Sequence, residues 1–164
     1  MNRVLVTRGV FGLTLRAIAE ESRISSGSLL HHFGSRERVL IVAAGRTGRW
    51  LMKAIEDETW EAGVEAFLPG DDEMVLLTRA WLGWCELWRS EPILDHVVDE
   101  VRADELHALA AVHDLRLSRP DLDTLTALVE GLRSAVCAPR RPMPPSRARE
   151  LLRTASTAAL ARAG

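Results

Sequence analysis

Lysine is nearly missing from this chain. Lys53 stands alone among 21 basic residues and the rest are arginines, a pattern that fits a coding bias towards arginine, as in a GC-rich genome, rather than a functional signal. Cysteine is scarce too. Cys85 and Cys137 are too few and too far apart for a zinc pattern or a disulfide framework, and with no secretory leader the expected setting is a reducing cytoplasm. No apolar run approaches the roughly 18 residues that a membrane helix requires, so no membrane partner is expected. A Gly-rich phosphate loop, a Ser-His-Asp order and paired carboxylates are all missing. The chain is therefore not expected to be an enzyme or to hold a cofactor or metal.

The formal charge of −2 hides an asymmetry. Residues 1–50 carry eight arginines against three glutamates, a net of +5, while residues 51–164 carry 13 basic and 20 acidic groups, a net of −7. A basic head on an acidic body suits a polyanion partner for the head alone. A merely solvated basic face would look the same from charge.

The 164 residues are enough to bury a core and suggest one or two small domains. Helix signals recur along the chain, no stretch reads convincingly as a strand, and no segment repeats. Thr14 caps a helix running to about Glu21. Ser25 or Ser26 caps a short one that ends near Phe33, where Gly34 suits a stop. Ser35 opens a long helix from Arg36 towards Glu58. Breaks follow at "LPGDD", "SEP", "SRPD" and "APRRPMPPS". The expected fold is all-α, with a small helical head at residues 1–46 and a helical body at 47–164.

Two short helices around a tight turn, the second opening on serines, form a helix-turn-helix. In "SSGSLLHHF", Leu29 and Phe33 are four apart and face inward. Ser26, Ser28, Leu30, His31 and His32 remain for the outside or the rim. A helix entering a major groove about 12 Å wide favours such small or hydrogen-bonding side chains on its outer face. His31 and His32 do not make a metal pair, because adjacent helical residues point about 100° apart and no third ligand is near in sequence. His96, His107 and His113 are scattered over another segment.

At these residues the chain resembles the TetR family of bacterial repressors, from "RG" at Arg8–Gly9 through "TLRAIAEESRISSGSLLHHFGSRERVL" without a gap. The resemblance implies a homodimer on a palindromic double-stranded DNA operator, released by a small-molecule effector. It puts Thr14, Arg16, Ser25, Ser26, Ser28, His32 and Arg36 at the DNA. Thr14, His32 and Arg36 would mainly touch phosphates, and Ser26 and Ser28 would lie near base edges. Three departures stand out. Leu30 replaces the usual tyrosine, and Arg23 replaces the usual turn glycine. That arginine would cost about 1 kcal/mol if left-handed while offering a phosphate contact. The first helix is also about two turns short of its usual length. The alternative reading is a helical ligand-binding or interaction protein with a degenerate DNA-binding head.

The body, in "FLPGDDEMVLLTRAWLGWCELWRSEPILDHVVDE" and "LTALVEGLRSAVC", resembles the betaine-repressor (BetI-like) subgroup. That likeness implies a ligand-sensing and dimerising bundle. Met74, Leu77, Trp81, Trp84 and Trp88 recur at steps of three and four on one helix face. By the resemblance this helix flanks the sensing cavity, opposite Met52 and Ile55 and beside Val97 and Val101. Indole faces attract cations, although tryptophans that merely fill a core would show the same spacing. Leu122, Leu125, Val129, Leu132 and Val136 form one further stripe; a second includes Leu152, Ala155 and Ala159. Paired between two chains, these would build a four-helix interface. Stripes buried against their own chain would read identically.

Overall fold

The structure, a computed structural model, describes residues 1–113 and 116–163. Among these residues there is no strand, and eight α-helices follow one another: α1 (Asn2–Arg8), α2 (Leu15–Ser22), α3 (Ser26–Phe33), α4 (Arg36–Ala62), α5 (Asp72–Trp88), α6 (Asp95–Val112), α7 (Arg119–Val136) and α8 (Pro145–Ala163). Short 3-10 turns occupy Val10–Gly12, Gly63–Phe67 and Pro92–Leu94. The all-helical expectation is met.

The helix boundaries are set by local chemistry. The Asp71 carboxylate accepts the Met74 N–H at 2.8 Å and opens α5. Ser118 accepts from Asp121 N–H to open α7, with Pro120 in the first turn where no amide partner is needed. The long helix α4 passes its expected end near Glu58 and runs on to Ala62. Gly63, at φ 55°, then turns the chain into a 3-10 stretch whose Val64, Ala66 and Phe67 are buried. No proline or cap sits near Glu58 to stop the helix earlier.

The chain divides into two compact units. The first comprises Met1–Trp50 and Arg79–Val101, with Ile18, Leu29, Leu40, Ala44, Trp84, Leu94 and Val98 in its core. The second comprises Leu51–Thr78 and the described residues from Arg102 onward, with Leu51, Ile55, Phe67, Leu68, Leu109, Leu125, Val129 and Leu152 buried. The expected boundary between residues 46 and 47 falls inside α4, an unbroken helix. Break signals in a sequence mark helix ends, whereas α4, α5 and α6 each contribute to both units.

In the second unit, Arg133 is only 2% exposed. It is ion-paired with Glu105, and its Nε donates to the Phe67 carbonyl at 2.8 Å. Arg149 likewise donates to the Leu68 carbonyl at 2.8 Å and pairs with Glu58 at 2.7 Å. Cations held in this way, one buried and one half-buried, fix the Phe67 and Leu68 carbonyls at the end of the Gly63–Phe67 turn.

Candidate nucleic-acid interface

The helix-turn-helix is built from caps legible in the sequence. Thr14, in an extended conformation, accepts the Ala17 N–H at 3.1 Å and opens α2. Ala17, Ile18 and Ala19 bury one face of this helix. Arg23 ends it in the left-handed region, at φ 55° and ψ 36°. There the Ile24 N–H reaches the Ala19 carbonyl at 3.1 Å and the Arg23 N–H reaches Glu20 at 3.2 Å, the double bond of a Schellman turn. Ser25 then accepts the Ser28 N–H at 2.9 Å to start α3. Gly34, at φ 83°, ends α3, and Ser35 accepts the Arg38 N–H at 3.2 Å to start α4.

Leu29 is buried, Phe33 is half-buried, and Ser28, Leu30, His31 and His32 are exposed. Ser26 is intermediate and Ser25 exposed. Of the residues expected at DNA, then, α3 presents Ser25, Ser28 and His32 openly. The Ser25 and Ser28 hydroxyls also bond one another at 2.9 Å, so the helix cap and the candidate base-reading hydroxyl are one unit.

The arginines sort themselves by partner. Arg16 donates to Glu20 at 3.0 Å, and Arg8 lies 3.6 Å from the same residue. These contacts, the Arg16 hydrogen bond foremost, hold the Glu20 carboxyl below the usual carboxylate range. Arg3 faces Glu21 at 3.5 Å, and Arg36 pairs with Glu91 at 2.8 Å. Arg16 and Arg36, expected at DNA, thus have carboxylate partners within the chain. Arg23 and Arg38 are exposed and meet no carboxylate among the described residues. Arg38 was missed in the sequence, where nothing distinguishes a free arginine from one bound to a distant glutamate.

The residues expected around a ligand fall in both units. In the first, Trp81 and Val101 meet over Gly48 of α4. A Cβ there would lie 3.2 Å from the Trp81 ring and 2.4 Å from Val101, so glycine is required for this approach. Val97 lies against Gly45, Trp84 is fully buried, and the Trp88 N–H donates to Asp95 at 2.6 Å. In the second, Met52 and Ile55 are buried, and Met74 and Leu77 line a cavity of ≈ 250 Å³ together with Ala54, Glu58, Asp71 and Glu73. These last four escaped the sequence reading. The five-residue stripe on α5 was visible there, but not that Glu58 of α4 and the carboxylates at the start of α5 line one cavity with it.

The α7 and α8 stripes turn inward. Leu125, Val129, Leu132 and Val136 are at most 5% exposed in the single chain, and Leu152 and Ala159 are as deeply buried. Leu122 and Ala155 are half-buried. These side chains form the unit's own core, because a stripe of large apolar residues is buried by the nearest helix of the same chain first. The exposed face of α7 carries Thr124, Ala127, Gly131 and Ser134 instead.

Among the described residues no group of three or more His, Cys, Asp or Glu could hold a metal ion, and no helix is long and apolar enough to cross a membrane.

Residues 2–43 match the sequence model of the bacterial regulatory proteins of the tetR family. No curated protein matches the chain. Among solved structures, one described as a TetR-family transcriptional regulator from Rhodococcus sp. superimposes with a TM-score of 0.83 at 22% identity, over 97% of this chain and 94% of that one. A structure of SCO7518 from Streptomyces coelicolor A3(2), described as a transcriptional regulator, gives 0.66 and 19%, over 95% and 93%. The multidrug binding protein EbrR, complexed with imidazole, gives 0.61 and 23%, over 94% and 89%. Residues 2–43 are thus similar to the tetR-family model, and the chain as a whole shares the fold of these solved structures.

Proposed function

We propose that the protein is a DNA-binding transcriptional regulator, a homodimeric repressor that grips a palindromic operator and is released by a small molecule. The observation that carries this reading is the α2–α3 pair. Each of its helices opens on a side-chain cap, Thr14 and Ser25, and the pair is basic at Arg23 and beyond it at Arg38 and presents hydroxyls and an imidazole outward from α3. A rigid helix with small polar groups on its outer face is what a major groove admits, and the match of residues 2–43 to the tetR family supports that use.

The effector site belongs to the second unit, around Met74 and Leu77, with Asp71 and Glu73 as anionic anchors and the buried Met52 and Ile55 in the same unit. Apolar lining beside the Asp71 and Glu73 carboxylates suits a lipophilic cation. EbrR, a structural neighbour, is described in complex with ethidium. Trp81, Trp84 and Trp88, with Val97 and Val101, belong to the first unit and are not part of this site. The BetI-like reading of the body belongs to the same proposal. The dimer would form through the exposed small residues of α7, because a Cβ on Gly131 would meet nothing within 4 Å and a partner helix can approach closely there.

The rival reading, a ligand-binding protein with a degenerate head, draws support from Arg16 and Arg36, whose charges are tied to Glu20 and Glu91. Titration of the intact protein with its own upstream DNA over a salt series separates the two. A repressor binds with an affinity that falls steeply as salt rises, and a degenerate head does not bind.

A further inference from the structure

The first unit contains a second cavity, of ≈ 290 Å³, between α1, the end of α3 and the first turns of α4. Its chemistry is opposite to that of the cavity in the body. Two arginines, Arg3 and Arg46, stand on its lining and no carboxylate does. Phe33 and Trp50 supply aromatic surface, and Val39, Val42 and Ala43 supply aliphatic surface. Trp50 is 48% exposed and Val42 42% exposed, so this apolar surface is open to water and gains from being covered.

Arg46 is the anchor. Its guanidinium lies over the Trp50 ring, 4.6 Å from the centroid, and meets no carboxylate among the described residues. Stacking occupies the face of a guanidinium and leaves its N–H edge free, the edge that binds a carboxylate with two parallel hydrogen bonds. The Thr47 hydroxyl, also on the lining, is engaged within the protein by Asn2 and Ala43 and offers no second anchor. From this arrangement we propose that the head binds a small aryl carboxylate. Its carboxylate meets the Arg46 edge and its ring lies against Phe33, Val39 and Val42. The cavity is just large enough for a ligand of one or two fused rings. Phe33 is the last residue of α3, so an occupant would bear directly on the end of the helix presented to DNA.

Isothermal titration of the intact protein with 2-naphthoate tests this, with 2-naphthamide as the neutral comparator. Arg46 and Trp50 are both exposed, so Arg46→Gln and Trp50→Ala should keep the parent circular dichroism and melting curve. The expected result is saturable binding of naphthoate, at least tenfold weaker binding of the amide, and at least tenfold loss in Arg46→Gln with partial retention in Arg46→Lys. Trp50→Ala weakens both ligands. The absence of saturable naphthoate binding overturns the inference. So does naphthoate binding that Arg46→Gln and Trp50→Ala leave unchanged, since the ligand would then sit elsewhere. None of these readouts involves DNA, so a failure here is distinct from a failure of the repressor reading.

Discussion

The indole N–H of Trp84 points at the Thr47 hydroxyl, 3.1 Å away, and Asn2 Oδ1 lies 2.7 Å from that hydroxyl and 3.3 Å from the indole nitrogen. Trp84 is wholly buried. A buried indole needs a partner for its N–H, and this one finds it in a threonine and an asparagine from two other helices of the same unit. Thr47→Val keeps the shape of the side chain and removes the oxygen. The expected cost is about 1–2 kcal/mol, as for a buried donor left with a poorer partner, read from urea unfolding with an unchanged slope. A neutral outcome would show that Asn2 alone satisfies the indole.

Arg23 separates stability from binding. It sits left-handed where a glycine has no steric penalty. The strain relieved by Arg23→Gly, about 1 kcal/mol, is partly offset by the extra freedom of glycine in the unfolded chain. The variant should therefore be as stable as the parent or slightly more so. Its DNA affinity should nevertheless fall, and the salt slope should drop by about one, the signature of a lost phosphate contact. Equal affinity with raised stability would make Arg23 a structural accident.

Asp121 joins the start of α7 to the end of α8. Its carboxylate accepts from Arg162 at 2.5 Å and from the Ser118 hydroxyl at 2.7 Å. The Arg162 bond is the largest of the influences that hold its carboxyl below the usual range. A group ionised more readily in the folded state stabilises above its unfolded pKa, here 3.8, and loses that contribution as pH falls below it. Asp121→Asn should melt below the parent at neutral pH, and the two melting curves should converge in acid. A gap independent of pH would assign the loss to packing.

Gly131 lies on the open face of α7 and has no neighbour that a side chain would strike. Gly131→Arg should leave the single chain folded, and helix propensity favours the change by a few tenths to about 1 kcal/mol. In sedimentation it should be a monomer, with operator binding lost because two linked heads are needed. A folded variant that remains dimeric would place the contact on another face. Val129→Arg cannot make this test, because Val129 is 1% exposed within its own chain and a buried unpaired charge would unfold it.

Local features were legible in the sequence and tertiary partners were not. Thr14, Ser25, Ser35 and Gly34 announce their caps through chemistry that reaches only three or four residues. The pairing of Arg36 with Glu91 spans 55 positions, and nothing near either residue announces it. The stripes on α5 and α7 show the same limit. Periodicity reveals that Trp84, Leu125 and Val129 face something apolar, but a neighbouring helix, a bound ligand and a second chain leave the same pattern. The carboxylates beside Met74 and Leu77 lay hidden for another reason. Asp71 and Glu73 belong to a helix start, where acidic residues are expected on helix-dipole grounds alone.

The most direct test of the regulator reading is fluorescence anisotropy of the intact protein with a labelled duplex from the DNA upstream of its own gene, across a series of salt concentrations. The account predicts saturable binding of two chains per site, and a logarithm of affinity that falls linearly with the logarithm of salt. An unrelated duplex of equal length should bind at least a thousandfold more weakly. Affinity equal for both duplexes, or no binding at low salt, would contradict it.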